Sequence, residues 1–209
     1  MKINWYGQSC FQISISKNKK EQVGILIDPV HKDSGLKLPK IKADILLLTD
    51  GNGQKENPSL FGEPFVVERP GEYEVKDIFI KGIAGENSIY IIEAEKLKIC
   101  HLGGLNQTEL SPRQVEEIGD VDILMIPVGG MGTIASREAS KVLSQIGPKI
   151  VIPMNYKIPN LKIPNNVEAE GVDKFLKVIG KKGIEAQDKF LIKSGELSGK
   201  GLEVVVLNP

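Results

Sequence analysis

The sequence predicts an α/β (α+β) protein in which two packed sheets carry helices on their outer faces. Three observations lead there. The first half of the chain runs through short strand-like segments, the second half alternates strand with amphipathic helix, and the chain closes on strands again. Several of these strands are apolar on both faces, so they need cover from both sides. At 209 residues the chain is long enough to bury its own core, and residues 1–209 read as a single domain.

Taken in order, Cys10–Ser16 alternates apolar and polar residues with the period of a half-buried strand. Val23–Ile27 is a compact apolar run stopped by Asp28-Pro29, a turn signal. Pro39–Lys42 leads into the strand Ile45–Leu48, and Pro64–Glu68, Asp77–Ile80, Ser88–Glu93 and Leu97–Cys100 follow as strands. Gly71-Glu72-Tyr73-Glu74 reads as a turn. Ser111, with Pro112 next and Gln114 at the reciprocating position, starts a short helix whose apolar face is Val115 and Ile118 and whose stop is Gly119. Val121–Val128 reads as a fully buried strand. Ser136 is expected to cap a helix through Gln145, with Ala139, Val142, Leu143 and Ile146 at helical spacing and Gly147-Pro148 ending it. Ile150–Ile152, closed by Pro153, is another strand. A helix over Val172–Ile179 and strands over Phe190–Lys193 and Leu202–Leu207 complete the chain, with Ile158–Asn166 as a surface connection.

Composition excludes several function classes. Lys+Arg and Asp+Glu both number 27, so the formal net charge is zero and there is no basic footprint for nucleic acid or an anionic membrane. No apolar run approaches spanning length, and the start Met1-Lys2-Ile3-Asn4-Trp5 lacks the apolar region of a signal peptide. A cytoplasmic protein that binds neither nucleic acid nor membrane is expected, with a homo-oligomer left open. Cys10 and Cys100 are then read as buried free thiols. With only His31 and His101 present, a histidine-rich metal site cannot be assembled within one chain.

The stretch Ile45–Lys55 turns abruptly from apolar strand to a polar, glycine-punctuated loop, the kind of place where chemistry is mounted. Its side chains are a carboxylate, amides and an ammonium. Gly130–Ala135 nominally fits a G-x-G-x-x-A dinucleotide fingerprint, but Asn155 stands near the position where the fingerprint needs an acid. Anion capture at the following helix N-terminus is the weaker use of that segment. His31, in a loop after Asp28-Pro29, is most simply a surface histidine.

Trp5-Tyr6-Gly7-Gln8-Ser9-Cys10-Phe11 followed by Ile27-Asp28-Pro29 resembles the opening of the metallo-β-lactamase superfamily, and most closely its small Zn-dependent hydrolase-like branch, which includes lactonase-type relatives. Gly62–Val67, Pro70–Lys76, His101-Leu102-Gly103, Gly119–Gly130 and Ile150–Tyr156 extend the likeness over nearly the whole chain. The resemblance implies an αββα sandwich, two mixed sheets face to face, with the active site at one edge. It also implies zinc or a related metal that activates water, held by a His-x-His-x-Asp-His loop, a later histidine, an aspartate in a Gly-Asp turn and a histidine after a late strand. Position by position this chain departs from that set. The loop's histidines fall on Asp50, Asn52 and Lys55, and its aspartate on Gln54. The Gly-Asp turn reads Gly103-Gly104, the late histidine is Asn155, the loop Ile83–Asn87 holds no histidine, and the usual Gly-His-Ser turn carries Gln8. Neutral amides bind such cations poorly, and Lys55 brings a positive charge to the loop. No metal and no other cofactor is expected. His101 is not at a ligand position and is read as bonding locally beneath the site.

Two readings follow. One is a catalytically silent member of the fold kept for binding, regulation or structure. The other is a hydrolase working through an altered site around Asp50, Lys55 and His101, with Asp28, Glu72 and Tyr156 converging on it.

Overall fold

The computed structural model describes residues 1–16, 21–50, 57, 59–164, 167–197 and 201–209. The chain opens with a meander, β1 (Lys2–Trp5), β2 (Phe11–Ser16) and β3 (Gln22–Ile27), in which each strand is antiparallel to the last. Four short strands follow: β4 (Ile41–Lys42), β5 (Ile45–Leu47), β6 (Leu60–Phe61) and β7 (Phe65–Val67). Then come β8 (Gly71–Val75), β9 (Ile78–Ile83), β10 (Ile89–Ala94) and β11 (Leu97–His101), again antiparallel neighbours. The last part alternates: α1 (Pro112–Ile118), β12 (Ile123–Pro127), α2 (Ser136–Ile146), β13 (Ile150–Met154), α3 (Val172–Val178), β14 (Phe190–Leu191) and β15 (Glu203–Val204).

These strands form two mixed sheets, one ordered β14-β1-β2-β3-β5-β7 and one ordered β15-β13-β12-β11-β10-β9-β8, with β4 and β6 as a separate ribbon. A shared apolar core lies between the sheets and draws Trp5, Phe11, Ile27 and Leu47 from one and Ile80, Ile92, Met125 and Ile152 from the other. Tyr90 of β10 pegs them together, its hydroxyl donating to Leu48 O at 2.9 Å and to Val67 O at 3.2 Å. α1 packs on β9 and α2 on β12, while α3 lies against α2. A second cluster, Cys10, Leu26, Val30, Ile41, Ala43, Leu46 and Leu48, includes side chains from the opposite face of the first sheet, since Leu26 and Leu46 alternate with Ile25, Ile27, Ile45 and Leu47 of the main core. The two-sheet sandwich is the one expected. Cys10 and Cys100 are buried free thiols in different clusters. No described helix is long and apolar enough to cross a membrane.

Local expectations were met unevenly. α1 starts as read, with Ser111 and Gln114 forming a reciprocal capping box and Pro112 at the first position. Gly71–Glu74 is not a turn but most of the edge strand β8; its alternation is carried only by Tyr73 and Val75, because most of this strand faces solvent. The reversal falls instead on Lys76-Asp77, at φ 52° and 58°, a two-residue hairpin loop of the kind that needs two left-handed residues. Asp77 therefore belongs to the turn rather than to β9. Ser136 is the first helical residue and not the cap; its hydroxyl donates to Val128 O at 3.2 Å. Pro153 lies inside β13 rather than ending it. Val205 N donates to Val151 O at 3.0 Å, so by strand parity the missing N–H of Pro153 faces the β15 side, just past the last pair of that ladder. β1 is not among the expected strands, although Lys2-Ile3-Asn4-Trp5 alternates polar and apolar over its four residues; it pairs with both β2 and β14.

Candidate binding cavity at the strand ends

The carboxyl ends of β3, β5, β11, β12 and β13, with the β1–β2 and β9–β10 turns, surround a cavity of about 370 Å³. Parallel strands deliver their loops to one edge, which is where open sheets carry their sites. Asp28 follows β3 in a left-handed conformation (φ 42°). Both of its carboxylate oxygens are engaged by Thr49, which donates from N at 2.8 Å and from Oγ1 at 2.6 Å. Gly103 closes on this pair from behind: a Cβ there would lie 2.7 Å from Thr49 Cβ, and φ is 56°. Ser88 N donates to Thr49 O at 2.7 Å, and the neighbouring Asn87 Nδ2 donates to Gly104 O at 2.8 Å.

The opposite wall is built from the β1–β2 turn and the end of β13. Gln8 (φ 48°) accepts at its carbonyl from Trp5 Nε1 at 2.8 Å and from Asn155 N at 3.3 Å. Asn155 (φ 51°) donates from Nδ2 to Ser9 Oγ at 2.6 Å. Under this wall lies His101, 0% exposed, with Nε2 at 3.0 Å from Ser9 O and Nδ1 accepting from Gly103 N at 3.1 Å. Those partners make Nε2 the protonated nitrogen, and burial lowers the imidazole pKa to about 4.

Desolvation pushes the Asp28 carboxyl up to about 7, against the Thr49 hydrogen bonds that favour its anion, with Asp50 adding repulsion. The folded pKa thus lies above the ordinary 3.8, so the stability this group contributes is complete below about 3.8 and is lost as pH rises through 7. Asp28→Asn is expected to flatten the decline in unfolding free energy over that window, measured by denaturant titrations at a series of pH values.

Five of the residues singled out in the sequence meet here: Gln8, Asp28, Asp50, Gly104 and Asn155 line the cavity. Asn52, Gln54 and Lys55 lie outside the described residues. Three others do not converge. His101 is behind the wall. Glu72 sits on β8 in a separate groove with Lys81 and Arg113. Tyr156 packs tilted against Trp5 with ring centroids 4.8 Å apart and donates to Leu207 O at 3.3 Å. His31 is exposed, as expected, but also borders the cavity, its Nδ1 accepting from Asp33 N at 3.1 Å. Ser9, Thr49 and Asn87 were missed as lining residues, and only their positions next to strand ends and turns hinted at them. Gly132 and Thr133, on the loop that nominally fits a dinucleotide fingerprint, also face the cavity. The α2 N-terminus behind that loop is already served by the chain itself, because Ser136 N donates to Glu170 Oε2 at 3.0 Å. The anion that this terminus invites is an internal carboxylate.

A two-sheet sandwich with its cavity at the parallel strand ends is the architecture that the resemblance implies. Residues 2–155 match the family model of the β-lactamase superfamily domain. The chain belongs to that superfamily. A Thermotoga maritima protein assigned as a Zn-dependent hydrolase of the metallo-β-lactamase superfamily is 34% identical, with a TM-score of 0.80 over 99% of this chain and 98% of its own. A UPF0173 protein of Pyrococcus abyssi is 30% identical over 75% of this chain and 83% of its own length. A UPF0173 metal-dependent hydrolase of Thermococcus onnurineus is 22% identical over 94% and 98%.

The metal such relatives imply does not fit the donors described. No group of three or more His, Cys, Asp or Glu among the described residues could hold a metal ion. Asp28 accepts from Thr49 at both oxygens, both ring nitrogens of His101 are hydrogen-bonded to backbone atoms, and Asn155 could offer a cation only a neutral amide oxygen.

Proposed function

We propose that this chain is a metal-free member of the superfamily, silent as a metal-dependent hydrolase, which uses the cavity at its strand ends to bind a small polar ligand in a regulatory or structural role. The reading takes residues 1–209 as one cytoplasmic domain. The observation that carries it is the Asn155–Ser9 hydrogen bond of 2.6 Å. At the place where the resemblance calls for a histidine ligand, the chain has an amide that this bond anchors to the protein wall, and the only atom it could offer a cation is a neutral amide oxygen. The lining that remains combines the polar groups of Gln8, Asn87 and Thr133 with two carboxylates, Asp28 and Asp50, and among the described residues no three charged or imidazole donors form a cation cage. The competing reading needs His101 at the reacting centre, and a ring with both nitrogens bonded to backbone atoms has no hydrogen-bonding capacity left for substrate.

Elemental analysis of the purified protein is expected to find zinc, iron and manganese well below one equivalent. The thermal midpoint is expected to be the same with and without chelator, since a structural metal would add its binding energy to folding. Lactone and β-lactam substrates should stay intact with added Zn²⁺ or Mn²⁺. Stoichiometric metal together with hydrolysis abolished by chelation would overturn the reading.

A further inference from the structure

Three of the exposed large apolar side chains among the described residues fall in one short stretch: Phe61, Phe65 and Val66, at 51%, 48% and 38% exposure. The last two belong to β7, the terminal strand of the first sheet. Phe65 N donates to Asp44 O and Leu48 N donates to Val67 O, both at 2.9 Å, so residues 65 and 67 turn their polar groups toward the β5 segment. Val66 therefore presents its N–H and C=O on the open side, and no described segment pairs with that side. The edge strand of the other sheet runs alongside: Tyr73 of β8 meets Phe65 edge-on with centroids 6.3 Å apart, and its hydroxyl donates to Arg69 O at 3.0 Å. An exposed edge carrying apolar side chains on both faces is a template for another strand.

We propose that β7 is the seam of a two-fold symmetric dimer, and that its occupant is a second copy of this chain. The charges around the strand select that partner. An antiparallel pairing with its axis at Val66 sets Phe65 opposite Val67 of the second copy and brings Glu63, two residues before β7, to the same flank as Arg69, two residues after it, of the second copy, so each copy supplies one acid and one base to a self-matching seam. Glu63 and Arg69 are both exposed, and neither has an ion-pair partner among the described residues. Val66 would exchange both hydrogen bonds with its own equivalent. Pro64 lies on the same open side as Val66, and its lack of an N–H limits the seam to a few residues. A formal net charge of zero leaves no long-range repulsion between copies.

The test is the mass of the full-length protein in solution by sedimentation equilibrium, with circular dichroism checking each variant. The wild type is expected at twice the mass of one chain. Arg69→Glu is expected to weaken self-association about tenfold, because two symmetry-related pairs are lost together and replaced by repulsion. Glu63→Arg with Arg69→Glu together should restore it. Independently, Val66→Cys should crosslink under mild copper oxidation, because residues opposed in a hydrogen-bonded antiparallel pair have Cα atoms about 5.5 Å apart, within disulfide range. A monomeric wild type overturns the proposal. So does a dimer indifferent to Arg69→Glu, a folded charge-swap variant that stays monomeric, or a wild-type dimer in which Val66→Cys fails to crosslink.

Discussion

Gly129→Ala is expected to cost about 3 kcal/mol, at the upper end of over-packing penalties, and to lower Tm by roughly 10 °C. A Cβ at this position would stand 2.3 Å from Asn155 O and 2.4 Å from Tyr156 Cα. Both are backbone atoms, so no rotamer change relieves the contact. Either the β12 end or the β13 end must move. The penalty is spatial rather than conformational, since Gly129 is not among the glycines with positive φ. The shift would also reach the cavity, because Asn155 holds the wall through Ser9 Oγ and Gln8 O. Guanidinium titration with an unchanged m-value reads the loss. A penalty below about 1 kcal/mol would mean that the two strand ends are separable and that the wall is not set by this contact.

Acidification is expected to remove about 3 kcal/mol through His101 alone. Its folded pKa of about 4 lies below the ordinary 6.5, so between these values the unfolded chain takes up a proton that the folded chain refuses. The contribution is therefore complete above pH 6.5 and is lost as pH falls through 4. Asp28 works in the opposite direction over much of the same range, so the measurement belongs in the Asp28→Asn background, where the histidine slope stands alone. Replacing His101 by Gln, whose amide can donate to Ser9 O and accept from Gly103 N, is expected to abolish that slope while keeping the protein folded. A slope that persists in the double variant would assign acid lability elsewhere.

The strands with full apolar runs were legible because burial on both faces leaves its mark on every residue of the strand, as in Val23–Ile27 and Val121–Val128. The capping box of α1 was legible because it is a local exchange between Ser111 and Gln114. β8 was hidden because its signal, Gly71-Glu72-Tyr73-Glu74, is that of an edge: polar outward residues behind a Pro-Gly pair. β14 and β15 were read as strands, but their partners in different sheets are contacts across the chain that no local periodicity encodes.

The cavity divides the same way. By itself the sequence determined the superfamily and the two-sheet sandwich, because these depend on residue types in order. Only the tertiary structure decided which of the singled-out residues meet. It brought Gln8, Asp28, Asp50, Gly104 and Asn155 to one cavity, and it sent Glu72 and Tyr156 elsewhere and buried His101 behind the wall. The reason is that a side chain's hydrogen-bond partners are set by strand order and loop closure. Asp28 is spent on Thr49, and Asn155 on Ser9, only because strands distant in sequence end side by side.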